Sequence, residues 1–145
     1  MTITITEVAS NDGGFSTAVE ELIDATAADL GYPFEPVRFE LKAADAAGEL
    51  AGGLVAYTIQ GWLFIKLLGV AEAARGNGIG RALLGKAEEH ARETGLVGVY
   101  LDTFEFQAPR FYQELGYTEC GRLPATGAAP QRIWFAKPFE PARGG

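Results

Sequence analysis

Apolar residues recur along this chain at two spacings, every second position and every third or fourth. The switches between the two set the expected order of elements. Thr2 to Val8 alternates threonine with isoleucine and reads as a first strand. Asn11-Asp12-Gly13-Gly14 reads as a turn. Phe15, Val19, Leu22, Thr26 and Leu30 then mark one helix face, with Thr17 and Glu20 as a capping box and Gly31 as the stop. The loop Tyr32-Pro33-Phe34-Glu35-Pro36 leads to two strands, Val37 to Lys42 and Leu50 to Gln60, joined through the Ala/Gly-rich 43–49 turn. Gly61 turns directly into a third apolar run, Trp62 to Val70. Helical spacing begins at Ile79 and continues through Ala82, Leu83, Ala87 and Ala91 to a stop at Thr94-Gly95. Val97 to Phe104 is a strand pattern, and Pro109 suits the first turn of a short helix over 108–115 that Gly116 ends. Tyr117 to Leu123 and Gln131 to Lys137 are the last strands, with Pro138 as terminator and Pro141 to Gly145 as a frayed tail. The expected order is β-α-β-β-β-α-β-α-β-β, a mixed α/β domain around one sheet of about seven strands. No repeat or linker divides it, so one domain over 1–145 is expected.

Composition narrows this picture. The 145 residues are 48% hydrophobic and 21% charged, which suits a globular chain able to bury one core. No apolar stretch is long enough to span a bilayer, and the start lacks a basic region followed by an apolar block, so neither membrane span nor secretory signal is expected. The single Cys120 excludes an internal disulfide, fits a reducing cytoplasm and is expected as a small core hydrophobe. The single His90 lies among Glu88, Glu89, Arg92 and Glu93 and is expected to face solvent. One His and one Cys leave no zinc site. A net charge of −7 disfavours nucleic acid and weakly favours a cationic partner.

Between the third apolar run and the helix at Ile79 stands Arg75-Gly76-Asn77-Gly78-Ile79-Gly80-Arg81. A glycine-rich turn that feeds a helix leaves backbone N–H groups unpaired and aimed at one point. The helix dipole adds positive character there, and Arg75 and Arg81 bracket it, so the turn suits an anion such as phosphate. A dinucleotide fingerprint fails because its third glycine would fall on Arg81. A Walker loop over Gly80 to Lys86 fails because Ala87 stands where a magnesium-holding Ser or Thr belongs. The pattern [Gln/Arg]-x-x-Gly-x-[Gly/Ala], met by Arg75, Gly78 and Gly80, remains.

That pattern resembles the pyrophosphate loop of the GNAT family of N-acetyltransferases. A second segment strengthens the resemblance: Ala108, Tyr112, Leu115, Gly116 and Tyr117 match the family's Ala-x-x-x-Tyr-x-x-Leu-Gly-[Phe/Tyr] signature, one helix and one strand further on. The resemblance covers roughly residues 37–138. It implies the GNAT fold, acetyl-CoA as cosubstrate, and transfer of an acetyl group to a primary amine of a small molecule or peptide by direct attack in a ternary complex. A cytoplasmic protein, monomeric or homodimeric and without a metal, is expected. By alignment, Leu68 to Val70 would pair with the pantetheine arm and the N–H near Val70 would serve the oxyanion. Arg75, Gly76, Asn77, Gly78, Ile79, Gly80 and Arg81 would hold the pyrophosphate. Tyr112 would protonate the leaving thiolate, its alternative role being to pack beside Phe111.

The chain departs from the family at two places. Many members carry a glutamate where Phe64 stands, and residues 62–70 hold no carboxylate. Asp102 and Glu105 are the alternative bases. Glu105 itself stands where many members have a pantetheine-binding asparagine. Lys66, two residues after Phe64, either anchors an acidic group of the substrate or reaches solvent. Tyr32 and Phe34 are candidates for an aromatic wall of the acceptor pocket. Two further readings compete: a non-catalytic acyl-CoA-binding or regulatory domain, and a domain that binds a nucleoside phosphate.

Overall fold

The computed structural model describes residues 1–10 and 12–140, which form two compact units, Met1–Glu35 and a second from Pro36 onward. The first unit holds one helix, α1 (Gly13–Asp29), with Asp12 as N-cap and no side-chain capping bond. The expected capping box of Thr17 and Glu20 therefore lies inside the helix, because Gly13 and Gly14 enter it instead of forming a turn. The stop comes as expected, with Gly31 at a φ of 87°. None of the α1 residues is buried, although Phe15, Val19 and Leu22 keep their helical spacing. Residues 1–9 form no strand, contrary to the Thr2–Val8 expectation. A strand needs a ladder partner, and among the described residues none pairs with this segment. Asn11 of the expected turn and the expected tail 141–145 lie outside the described residues.

The second unit follows the predicted order closely. It runs β1 (Arg38–Ala44), β2 (Leu50–Ile59), β3 (Trp62–Val70), a short 3₁₀ turn (Glu72–Ala74), α2 (Ile79–Glu93), β4 (Gly98–Phe104), α3 (Pro109–Glu114), β5 (Thr118–Arg122) and β6 (Arg132–Pro138). Pro138, expected as terminator, is the last residue of β6, where it faces Gly98 across the pair with β4. The strands make a six-stranded sheet in the order β1-β2-β3-β4-β6-β5. Six strands rather than about seven follow from the missing first strand. Only β3 and β4 run parallel, because the α2 crossover joins them.

One sheet face carries the core. Leu54 and Ala56 of β2, Leu63 and Ile65 of β3, Val99 and Leu101 of β4, and Ile133 and Phe135 of β6 alternate onto it. Leu83, Leu84, Ala87 and Ala91 of α2 close it from above. Leu84 and Leu101 are almost fully buried, so truncating either to alanine costs about 2–5 kcal/mol. His90 is half-buried on the α2 side of the sheet, its ring stacked on Phe39 of β1 with centroids 3.8 Å apart, rather than free in solvent as expected. Cys120 corrects in the other direction. It is exposed at a register shift of β5, which lies at the edge of the sheet.

A bulge in β3 positions the functional region. Ala56 faces Ile65 and Val55 faces Leu67, so Lys66 is the extra residue. Past this point β3 also leaves β4. Their register runs only from Leu63–Val99 to Ile65–Leu101. The β4-facing edge of residues 66–70 is left without a ladder, and the sheet splays there.

Candidate active site

Two cavities flank this splay, both lined by residues of the second unit. The larger, of about 640 Å³, is lined by Leu68 and Val70 of β3, by the turn residues Arg75, Gly76, Gly78, Ile79, Gly80 and Arg81, and by Phe111, Tyr112 and Leu115 around α3. The smaller, of about 300 Å³, is lined by Lys66, Leu67, Leu68, Asp102, Thr103, Gln107 and Tyr112, among others. Leu68, Ala108 and Tyr112 belong to both.

The turn reaches its shape through glycine. Gly76 and Gly78 have φ values of 84° and 72°, where a side chain would clash with its own backbone. Gly78 is the N-cap of α2, so the free N–H groups of the first helical turn open into the larger cavity. Gly80 serves a different need, since a Cβ there would meet Phe111 Cζ at 3.3 Å. Asn77 does not line the cavity. Its amide donates to the carbonyls of Ala74, at 2.9 Å, and Arg75, at 3.4 Å, and so braces the turn. The surrounding groups suit a long ligand that carries a pyrophosphate: a nest of N–H donors, two guanidinium groups, an apolar channel, and an unpaired strand edge to bond amides.

Tyr112 sits where the cavities join. It is 8% exposed and packs edge-on against Phe111 and Tyr117, with Phe135 tilted at 6.1 Å. Burial first, and then the nearby Asp102 carboxylate, push its phenol pKa above the ordinary value. The group therefore keeps its proton at neutral pH and can donate it to a strong base formed beside it.

Among the described residues, Asp102 is the only carboxylate lining the smaller cavity. Arg132 grips its Oδ1 through both Nε and a terminal nitrogen, each at 2.9 Å, which leaves Oδ2 without a protein donor among the described residues. Arg132 itself lies over the Trp134 ring, and its pKa is raised by the hydrogen bond to Asp102. Glu105 lines neither cavity. It is exposed and accepts the Gln131 N–H at 3.3 Å, so it braces the segment before β6. Lys66 lines the smaller cavity with its ammonium 5.7 Å from the centroid of the Tyr57 ring. Phe64 packs against Tyr100 at 5.0 Å on the sheet face away from the core. Tyr32 and Phe34 belong to the first unit and are exposed.

The structure adds residues that the sequence left unmarked. Gln107 accepts from the Phe104 N–H at 2.9 Å and the Thr103 hydroxyl at 3.2 Å, and so shapes the end of the smaller cavity. Arg132 was hidden because its partner lies thirty positions away. Glu88, which the sequence marks only as a neighbour of His90, is 7% exposed. Its position one turn after Leu84 and directly after Ala87 was the available signal.

The profile described as "Acetyltransferase (GNAT) family" matches residues 14–117. The chain belongs to this family. It is 43% identical over 90 residues to acetyltransferase Atu2258 of Agrobacterium fabrum, which is 62% of this chain and 66% of that protein. It is 47% identical over 78 residues to the blasticidin-S acetyltransferase of Streptomyces morookaense, 53% of this chain and 57% of that protein. The chain thus spans two thirds or less of these curated relatives in the matched region. A crystal structure of a protein from Agrobacterium tumefaciens superposes with a TM-score of 0.83 at 32% identity and covers 96% of this chain and all of that one. The expected α/β GNAT fold is therefore the observed one. Among the described residues, no helix is long and apolar enough to cross a membrane.

Proposed function

We propose that this GNAT protein is an acetyl-CoA-dependent N-acetyltransferase, a single domain over 1–145 that acts in the cytoplasm on a primary amine of a small molecule. The carrying observation is Tyr112, a buried phenol shared by the cavity of the glycine turn and the cavity of Asp102. The pyrophosphate lies against Arg75, Arg81 and the N–H groups from Gly76 to Gly80, and the pantetheine arm pairs with the free edge of Leu68 to Val70. The acceptor amine enters beside Asp102. Its nitrogen attacks the thioester carbonyl, and the N–H near Val70 donates to the oxygen as it gains negative charge. The proton lost by the amine passes to Asp102 Oδ2 through water, the carbon–sulfur bond breaks, and Tyr112 protonates the departing thiolate. Solvent returns the proton to the phenolate. Lys66 faces an anionic group of the acceptor. The small-molecule acceptor is supported by relatives named for blasticidin S and streptothricin.

Thiol release from acetyl-CoA across a broad amine panel tests this reading. Release dependent on one amine class is expected. Binding of coenzyme A without turnover on any amine would replace it with the acyl-CoA-binding reading, for which the missing carboxylate at Phe64 speaks.

A further inference from the structure

α3, which carries Tyr112, has only six residues and cannot hold itself in place by its own ladder. It is fastened to α2 at two points. At one, Phe111 lies against Gly80 beside the cofactor turn. At the other, Lys137 of β6 donates to the Leu115 carbonyl, one residue past the end of α3, at 2.9 Å and to Glu88 Oε1 at 2.6 Å. The Tyr117 hydroxyl donates to Glu88 Oε2 at 3.3 Å, and the Tyr117 N–H donates to the Tyr112 carbonyl at 3.0 Å. The Lys137 stem runs past Gly116, where a Cβ would lie 3.5 Å from Lys137 Cε. The two points are eight residues apart on α2, about 12 Å. A buried carboxylate and a partly buried ammonium are costly to keep in an apolar core, and neither lines a cavity of the site.

We propose that the Glu88–Lys137 pair is a positioning device that sets the Tyr112 hydroxyl relative to the cofactor turn, by fixing the C-terminal end of α3 to the helix whose N-terminus forms that turn. The inference rests on Tyr112 as the proton donor. The pair acts through Tyr112 and touches neither substrate.

The test removes both charges together, Glu88→Leu with Lys137→Met, because a lone buried charge would unfold the chain for unrelated reasons. Turnover at saturating acetyl-CoA and coenzyme A affinity are measured well below the melting temperature, in the wild-type and Tyr112→Phe backgrounds. With Tyr112 present, the double replacement is expected to lower kcat about tenfold or more and to change affinity less than twofold. In the Tyr112→Phe background it is expected to add no further loss, since two changes acting through one group do not add. The same fold-loss in both backgrounds, or no loss in the wild-type background, overturns the positioning role and leaves Tyr112 in place. Wild-type turnover in Tyr112→Phe alone overturns both. Should the double variant fail to fold, Glu88→Gln with Lys137→Met, which also removes both charges and the tie to Leu115 but keeps an acceptor for the Tyr117 hydroxyl, is read in the same cycle.

Discussion

Tyr112 can act only while it holds its proton, and its surroundings keep that proton in place well into alkaline pH. Its pKa is raised by burial and by Asp102, so any loss of rate through ionisation of the phenol falls above the ordinary tyrosine value near 10. Tyr112→Phe keeps the ring among Phe111, Tyr117 and Phe135, and turnover is expected to fall by roughly tenfold to a thousandfold with cofactor affinity little changed. Its kcat–pH profile should lack the alkaline fall of the wild type. Wild-type turnover with chemistry rate-limiting would assign the residue to packing. Lys66 is tested by selectivity. Lys66→Met should raise KM for an amine that also carries a carboxylate or phosphate and spare a neutral amine. Equal changes for both would refute the anchor. Tyr112 and the glycine turn were legible because each sits in a short local pattern. Asp102's attachment to Arg132 and the burial of Glu88 were not, because β4, β6 and α2 supply those neighbours from distant parts of the chain.

At the scale of elements, strands and helices that pack against each other within the second unit were readable from periodicity alone. The core alternation of β2, β3, β4 and β6 and the spacing of α2 agree with the sheet that forms. The failures come where periodicity lacks a partner. Thr2 to Val8 alternates but has no ladder, and its Ile3 and Ile5 stay exposed. The bulge at Lys66 was invisible, since inserting one residue in an apolar run leaves the run intact while reversing the faces beyond it. The turn before α2 offers a direct element-scale test. Gly78→Val places a branched side chain at a φ of 72° where nothing in the structure obstructs it, so the penalty is conformational, about 1–2 kcal/mol or more. The fold should survive, and calorimetry should show coenzyme A affinity at least tenfold weaker. Unchanged affinity would mean that the turn does not hold the pyrophosphate.

Three tyrosines of the second unit resist ionisation. Burial first, and then Glu88, raise the Tyr117 pKa, and Tyr100 and Tyr112 shift the same way through burial and Asp102. In the unfolded chain these phenols ionise near pH 10, while in the fold they keep their protons. The stability they protect is intact below pH 10 and falls as pH rises above it, by at most about 1.4 kcal/mol per pH unit for each of Tyr112 and Tyr117 and by less for Tyr100, whose part-exposed phenol is screened by solvent. Urea midpoints at pH 9, 10 and 11 should show this fall, less steep in Tyr117→Phe. An equal slope in the variant would remove Tyr117 from the account.

The brief contact between β3 and β4 has a mechanical consequence. Three residue pairs, from Leu63–Val99 to Ile65–Leu101, join the half-sheet β1-β2-β3 to the half-sheet β4-β6-β5. A pantetheine arm bonded along residues 66–70 would serve as a borrowed strand that staples the halves together. Amide protons along that edge should then exchange readily in the free protein and slow when coenzyme A is added. The melting temperature should climb with coenzyme A concentration, the added stability reaching about 2.7 kcal/mol at a hundred times Kd. The protein's resistance to unfolding would then track the supply of its own cosubstrate.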